Sequence, residues 1–437
     1  MANPFKAVMS VHRQELPFAL LMFSYFFLVI ASFWVLKPMK KTLFLSYYDQ
    51  TGFDLLSWHL TAAQAELVAK VLNMVVAFLA VTVFTLTVRR FRRQQLTLVF
   101  CMFCMVCYIL FSLVINHPTG IMVWAFYLFG DLFNTLMVAT FFAFLNDSVT
   151  PDAAKRMYGL VGLGGVAGGV FGTTTLSVWV DRIDPAAWML ICLGAAVLIV
   201  VVSQLAGHMV ERDPPTEIET PAPEPAAASA NPASEGARLA FRSPYLLAIV
   251  GIVGFYEIVS TIMDFQFSAT IAHYLDGPDI GRQISLVFTI TNWTSMIVQL
   301  FLTSYIMTRF GLTVALLVLP VAAFTGSITF MALPILWIGS LLNTADNGFS
   351  YSINQSAKEA LYVPATREEK YKAKAFIDMF VQRFAKALAV GVTLAVTTIF
   401  TEFSSIRWLS LVTILILVGW IVAARYAGRS FKAKTLS

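Results

Sequence analysis

The chain has 437 residues, 58% of them hydrophobic and only 13% charged, with a formal net charge of +5. A soluble protein carries about a quarter charged residues, so a soluble globular domain is excluded and a polytopic membrane protein is expected. The positive balance gives no argument for nucleic acid, because the basic residues lie in short loops between apolar runs.

Those runs are roughly 20 residues each, the length that crosses about 30 Å of hydrocarbon as a helix. The first covers about 17–36. It is too long for a signal h-region and no small-residue cleavage site follows it, so the mature protein is expected to keep it. Beyond it lies "WVLKPMKKTLFL", residues 34–45, in which Lys37, Lys40 and Lys41 share one helix face. Like charges so placed repel and require carboxylates or an anion opposite. From Leu16 to Lys37 is about 32 Å of helix, which would allow snorkelling at the outer interface. The apolar and aromatic run from Thr42 to Tyr48, and a kink or break at Pro38, would instead allow the lysines to face a cavity. The sequence leaves both open.

The second run, 64–88, carries Glu66 and Lys70 as an i,i+4 pair able to neutralise itself. The third, 96–116, contains "CMFCMVC"; without a fourth cysteine nearby, these thiols read as small hydrophobes rather than cluster ligands. The fourth, 120–146, holds Asp131. In the fifth, 157–180, "GLVGLGGVAGGVFG" lacks the preceding strand of a dinucleotide-binding turn. Its glycines four apart, Gly164 with Gly168 and Gly165 with Gly169, suit close helix packing. The sixth run is 186–208.

A Pro-, Ala- and Glu-rich stretch follows, "ERDPPTEIETPAPEPAAASANPASEG", which cannot bury a core and is expected to be disordered. Six more runs come after it: 244–273 with Glu257 and Asp264, 284–308, 311–332, 334–357 with Asp346, 373–400 with Arg383 and Lys386, and 406–427. The expectation is an all-α integral membrane protein of about twelve spans in two six-helix bundles. These are 1–208 and 243–437, joined by a linker over 209–242. That is the layout of major-facilitator-type transporters, whose sites lie near the bilayer midplane. Of the 30 lysines and arginines, 21 fall on one side of the alternating loops and only Arg182, Arg282 and Arg407 on the other. The rule of positive loops inside then puts both termini and the linker in the cytoplasm, in an inner (plasma) membrane.

Ionisable residues within spans are costly and mark function by default. Counted at about 1.5 Å per residue from the nearest loop, Lys386 and Asp346 lie roughly 18 Å deep, Glu257 about 22 Å and Asp131 about 17 Å. Arg383 sits one turn from Lys386 on the same face, and Asp264 two turns beyond Glu257. Lysines on the first span and Arg383 with Lys386 on the eleventh would together suit a multiply charged anion, a phosphate above all.

Two stretches, "DAAKRMYGLVGLGGVAGGVFG" and "SYSINQSAKEALYVPATREEKYKAKAFIDMFVQRFAKALA", resemble the ATP/ADP antiporters of plastids and intracellular bacterial parasites. The resemblance covers most of the chain and implies functional lysines at Lys386 and Lys40, with functional acids at Asp131 and Asp264. The chain departs from that family where it reads "KPMKK", without the aspartates usual around the first-helix lysine, and where "GLGGV" lacks an asparagine. Two family glutamates also stand here as aspartates.

The expected function is exchange or import of a nucleotide or related phosphorylated anion by alternating access. Lys37, Lys40, Lys41, Asp131, Asp264, Arg383 and Lys386 are the binding candidates, and Glu257 and Asp346 the counter-charge or proton-coupling candidates. No enzyme chemistry and no cofactor or metal is expected. The alternatives are a proton-coupled carrier of a non-nucleotide solute and a membrane scaffold or sensor that moves nothing. The substrate, direction, coupling ion and oligomeric state stay open.

Overall fold

The computed structural model describes residues 12, 14–55, 58–88, 90–91, 93–212, 232–365 and 373–436. Lys6, Arg13, Arg89, Arg92, Arg367, Lys370 and Lys372 of the basic loops lie outside the described residues, as does 213–231 of the linker.

The chain divides into two compact units. The first begins with α1 (Leu16–Tyr48), which runs unbroken through Pro38 and thus a full three turns past the apolar run that announced it. A small hairpin follows, β1 (Phe53–Leu55) antiparallel to β2 (Trp58–Leu60), with Phe53 opposite Leu60. Then come α2 (Ala62–Val88), α3 (Arg93–Val114), α4 (Gly120–Asn146), α5 (Pro151–Trp179) and α6 (Pro185–Arg212). Thr119 and Thr150 cap α4 and α5 by accepting from the backbone N–H three residues on, and Pro151 occupies a first-turn position where no N–H is needed.

Helix α1 is the hub of this unit and packs on α4, α5 and α6. Its contact with α5 explains the glycine run. A Cβ at Gly164, Gly168 or Gly172 would lie 2.4–2.5 Å from the backbone oxygens of Phe23, Phe27 and Ala31. Only hydrogen fits there, so the stretch serves helix packing. The outer side of α2 is bare: Val75, Phe78, Leu79, Val83 and Leu86 are all exposed, a surface suited to lipid. Residues Leu275–Asn292 also cluster with this unit. Trp34 meets Phe288 edge to face, and Thr289 donates to the Thr173 carbonyl.

The second unit repeats the plan. After a short helix α7 (Pro232–Arg242) come α8 (Pro244–Tyr274) and α9, which starts at Pro278 and ends at Arg309. Next are α10 (Leu312–Ala332), α11 (Leu336–Phe349, extended to Ala360), α12 (Lys374–Ile399, in three pieces) and α13 (Arg407–Leu436). Here α8 is the hub and packs on α11, α12 and α13, as α1 does on α4, α5 and α6; α10 pairs with α13 as α3 pairs with α6. Three helices of this half widen into π-helical turns, at Val298–Thr303 in α9, Ser350–Asn354 in α11 and Ile377–Val381 in α12. Among the described residues, ten helices are long and apolar enough to cross a membrane by length and composition alone. The runs 334–357 and 373–400 are helical too, but in shorter pieces divided by π turns.

The linker expectation needs correction at both ends. Helix α6 continues to Arg212 and α7 forms over Pro232–Arg242, so 209–212 and 232–242 are helical. The cause is local: "ARLAFR" returns apolar residues at helical spacing, and Ala240 is fully buried.

Candidate functional site

In the first unit the three lysines of α1 have three different surroundings. Lys40 reaches α4, where its Nζ lies 2.5 Å from Asp131 Oδ1 and 4.4 Å above the Tyr127 ring. Asn73 of α2 donates to the other oxygen of Asp131. Gly130 makes this possible, since a Cβ there would stand 2.7 Å from Lys40 Cδ. Lys41 turns to α2 and donates to both oxygens of Glu66, at 2.9 and 3.3 Å. Tyr127 also donates to Glu66, at 3.1 Å, while Lys70 stands 3.9 Å away. Lys37 lies over the Trp34 and Phe288 rings at 4.5 and 5.2 Å.

Two of these lysines are withdrawn from solvent rather than reaching into it. Lys40 and Lys41 are 5% and 4% exposed, on a helix that continues to Tyr48. A buried ammonium needs a counter-charge and hydrogen bonds, and each has found an acid on a different helix. The expected pairing of Glu66 with Lys70 is present at 3.9 Å, and Lys41 adds a tighter one at 2.9 Å. Sequence reasoning missed Glu66, Asn73 and Tyr127 as partners. The available signal was arithmetic: three lysines on one face against carboxylates and an asparagine inside neighbouring apolar runs. The two ion pairs differ in access, because Glu66 is sealed whereas the Asp131 side chain remains 42% exposed.

In the second unit α8 presents Glu257, Ser260 and Asp264 at i, i+3 and i+7, one face of the helix. Glu257 lies 3.8 Å from Lys386 of α12. Ser260 donates to Asp346 of α11 at 2.6 Å, and Asn343 of α11 donates to Asp264 at 3.1 Å. One turn beyond Asp346, Ser350 shares a 2.6 Å hydrogen bond with Tyr256 at the start of the α11 π turn. The Lys386 side chain is 41% exposed. Arg383, on the same helix, makes no ion pair among the described residues. The structure therefore joins Glu257 to Lys386 and gives the two aspartates neutral donors, Ser260 and Asn343. Those donors are small polar residues within apolar runs, which composition alone does not mark.

Two repeated six-helix units, with charged residues on the hub helix of each, define a polytopic membrane carrier. The chain belongs to the Major Facilitator Superfamily, whose profile matches residues 18–367, and residues 332–431 match the TLC ATP/ADP transporter profile. These are families of transporters rather than enzymes. The chain is 24% identical over 353 residues to ADP,ATP carrier protein 1 of Chlamydia pneumoniae, covering 71% of this chain and 68% of that protein. It is 22% identical to the chloroplastic ADP,ATP carrier protein 1 of Arabidopsis thaliana, covering 70% of this chain and 54% of the relative. Among solved structures, the nucleoside transporter NupG is similar with a TM-score of 0.63 at 13% identity, covering 95% of this chain and 99% of that one. A POT family transporter in complex with 5-aminolevulinic acid is similar with a TM-score of 0.66 at 12% identity, covering 96% and 99%. At these identities the structural likeness speaks for the fold alone.

Proposed function

We propose that the chain exchanges or imports a nucleotide or related phosphorylated anion by alternating access. The observation that carries this reading is the pairing of membrane-buried Lys40 with a carboxylate that is open on one side. Asp131 holds the ammonium while the site is empty, and an incoming phosphate offers the same ammonium a stronger, multiply charged partner. In the second unit Lys386, half exposed and only loosely held by Glu257, is a separate candidate for contact with a phosphate. Arg383 adds charge beside it. The TLC match and the carriers named above support a nucleotide as the anion. Lys41 with Glu66 serves the scaffold, and Lys37 borders the site on its aromatic side.

The test is uptake into proteoliposomes loaded with ADP, with external labelled ATP, and inorganic phosphate as competitor. Counter-exchange that collapses in Lys40→Ala and Lys386→Ala supports the proposal. A ligand present at 100 times its Kd should also stabilise the purified protein by about 2.7 kcal/mol. No uptake and no stabilisation by any phosphorylated compound would reject it.

A second reading is a proton-coupled carrier of a non-nucleotide solute. It is favoured by Asp346, a carboxylate nearly sealed from solvent inside an apolar run, which accepts a hydrogen bond from Ser260. Uptake driven by a pH gradient in empty vesicles would select this reading over exchange. For orientation, we propose that both termini and the 213–231 stretch face the cytoplasm of a bacterial-type inner membrane. Cysteines introduced in that stretch should be labelled only from the cytoplasmic side, and labelling of intact cells by an impermeant reagent would reverse the assignment.

A further inference from the structure

The glycines of α8 are not used as those of α5 are. In α5 a Cβ would strike backbone. In α8 a Cβ at Gly251 would meet Ala423 Cβ at 3.5 Å, and one at Gly254 would meet only Val381 Cγ1 at 3.6 Å, both ordinary contact distances. Helix packing does not demand hydrogen at either position. What the two glycines do is floor an open groove of about 620 Å³ between α8, α12 and α13. Its walls include Leu247, Phe255, Ile258, Phe384, Leu388 and Val422, and the lining is apolar throughout except for the hydroxyl of Tyr426.

Along α8 the groove extends from Pro244 to Ile258, roughly 21 Å at 1.5 Å per residue. That exceeds the ~15 Å depth of a single leaflet. Its mouth lies at the end of the unit that carries the basic loops. Arg242 precedes Pro244 by two residues. Arg429 follows Val422 and Tyr426 at i+7 and i+3, and so continues their face of α13. Both arginines are exposed, and neither makes an ion pair among the described residues. Beside them Phe241 is 62% exposed, an aromatic at the level where α8 enters the apolar layer. A long apolar channel with cations at one end matches an amphiphile with one acidic head. A small anion would leave the channel empty, and a neutral lipid would leave the arginines unanswered.

We infer that the groove between α8, α12 and α13 binds an acyl chain of an anionic phospholipid, whose phosphate is held by Arg242 and Arg429. This site is separate from the lysines and acids of the transport reading and stands without it.

The experiment uses the full chain purified in detergent and stripped of lipid, titrated with phosphatidylglycerol, phosphatidylcholine or free glycerol phosphate while thermal unfolding is followed. Phosphatidylglycerol should raise the midpoint most, phosphatidylcholine less, and glycerol phosphate not at all. Gly254→Leu fills the groove and should remove both lipid effects. Arg242→Gln with Arg429→Gln should weaken phosphatidylglycerol about tenfold or more, towards phosphatidylcholine, as expected for loss of charge-assisted contacts. An unchanged phosphatidylglycerol response in Gly254→Leu overturns the inference, as does a full response to glycerol phosphate alone or no lipid response in the parent protein. Should Gly254→Leu not fold, the arginine pair decides, since both lie on the surface; undiminished phosphatidylglycerol binding there rejects the site.

Discussion

The two halves of this molecule repeat one packing plan yet handle charge in opposite ways. In the first, each buried ammonium of α1 is pinned by a neighbouring helix: Lys40 by Asp131 at 2.5 Å and Lys41 by Glu66 at 2.9 Å. In the second, Lys386 is half open and 3.8 Å from Glu257, while Asp264 and Asp346 of α8 and α11 receive neutral donors. Backbone regularity follows the same division. The first half stacks glycines against backbone at near-contact distance, whereas three helices of the second widen into π turns, a feature often found at functional sites. The contrast teaches that a buried charge does not by itself mark a binding residue. Whether its counter-charge stays open to solvent, as Asp131 does and Glu66 does not, separates a pair that a ligand can reach from one that it cannot.

The largest effect is expected where satisfaction is complete. Glu66→Ala removes the carboxylate that holds Lys41 in a sealed site and should cost about 3–5 kcal/mol, the usual result of breaking one side of a buried ion pair. Lys41→Met combined with Glu66→Leu should recover most of that loss in thermal unfolding, because a well-packed apolar pair needs no counter-charge. A double variant as unstable as the single one would show that the network, not the unpaired charge, carries the cost.

Next is the open lysine of the second half. Lys386→Ala should reach the membrane at normal levels and unfold normally, yet lose ten- to a hundredfold in substrate affinity, corresponding to roughly 1.5–3 kcal/mol. Arginine should not restore it fully, because a planar fork differs from a compact ammonium. Lys40→Ala sits between these cases. Its partner Asp131 is open to solvent and keeps Asn73, so the stability loss should be only about 1 kcal/mol while uptake falls as steeply as for Lys386. Normal uptake by Lys40→Ala would assign the pair to the scaffold with Lys41 and Glu66.

The glycines offer a smaller test of the same comparison. Gly168→Ala should cost about 1–3 kcal/mol through overpacking against α1. Gly254→Ala should be neutral or slightly stabilising, since its Cβ meets nothing closer than 3.6 Å and the variant removes freedom from the unfolded chain.

Much of this was legible in the sequence, and the remainder fails for identifiable reasons. Apolar run length revealed the helices, because hydrocarbon thickness fixes it, and the glycine spacing of α5 revealed its packing. Partner choice was legible only in part: the i,i+4 rule found Lys70 beside Glu66 but sees only one helix, and so missed the tighter contact from Lys41 where α1 and α2 meet. Gly130 reads as a packing glycine until the Lys40 side chain is seen lying across it. The π turns left no mark either, since a single inserted residue disturbs hydrogen bonding without changing composition. The short helix α7 was lost in the composition of the linker around it, although Leu239 to Arg242 already carried an amphipathic turn.

The smallest expected effect lies at the two ends of α1, where acids outside the apolar layer titrate in opposite directions. The hydrogen bond from Arg156 holds the Glu15 carboxyl below its ordinary value of 4.5. Partial burial raises Asp49 above 3.8, and the carboxylate of Asp276 beside it adds to the rise. For Glu15 the folded value is depressed, so its stabilisation is fully present above the unfolded value and is lost as pH falls through the folded one. For Asp49 the folded value is raised, so its favourable contribution exists below the unfolded value and vanishes as pH rises through the folded one. At neutral pH, therefore, Arg156→Gln should lower stability and Asp49→Asn should increase it, each by about 0.2–1 kcal/mol, because both acids are largely solvated. As the pH falls both differences should shrink, Asp49's first and Glu15's only as the pH passes its lowered folded value, as each carboxyl takes up a proton. Thermal unfolding of the two variants at pH 4 and pH 7 checks the signs. Stabilisation by Asp49→Asn that persists unchanged at pH 4 would mean that repulsion from Asp276 is not its source.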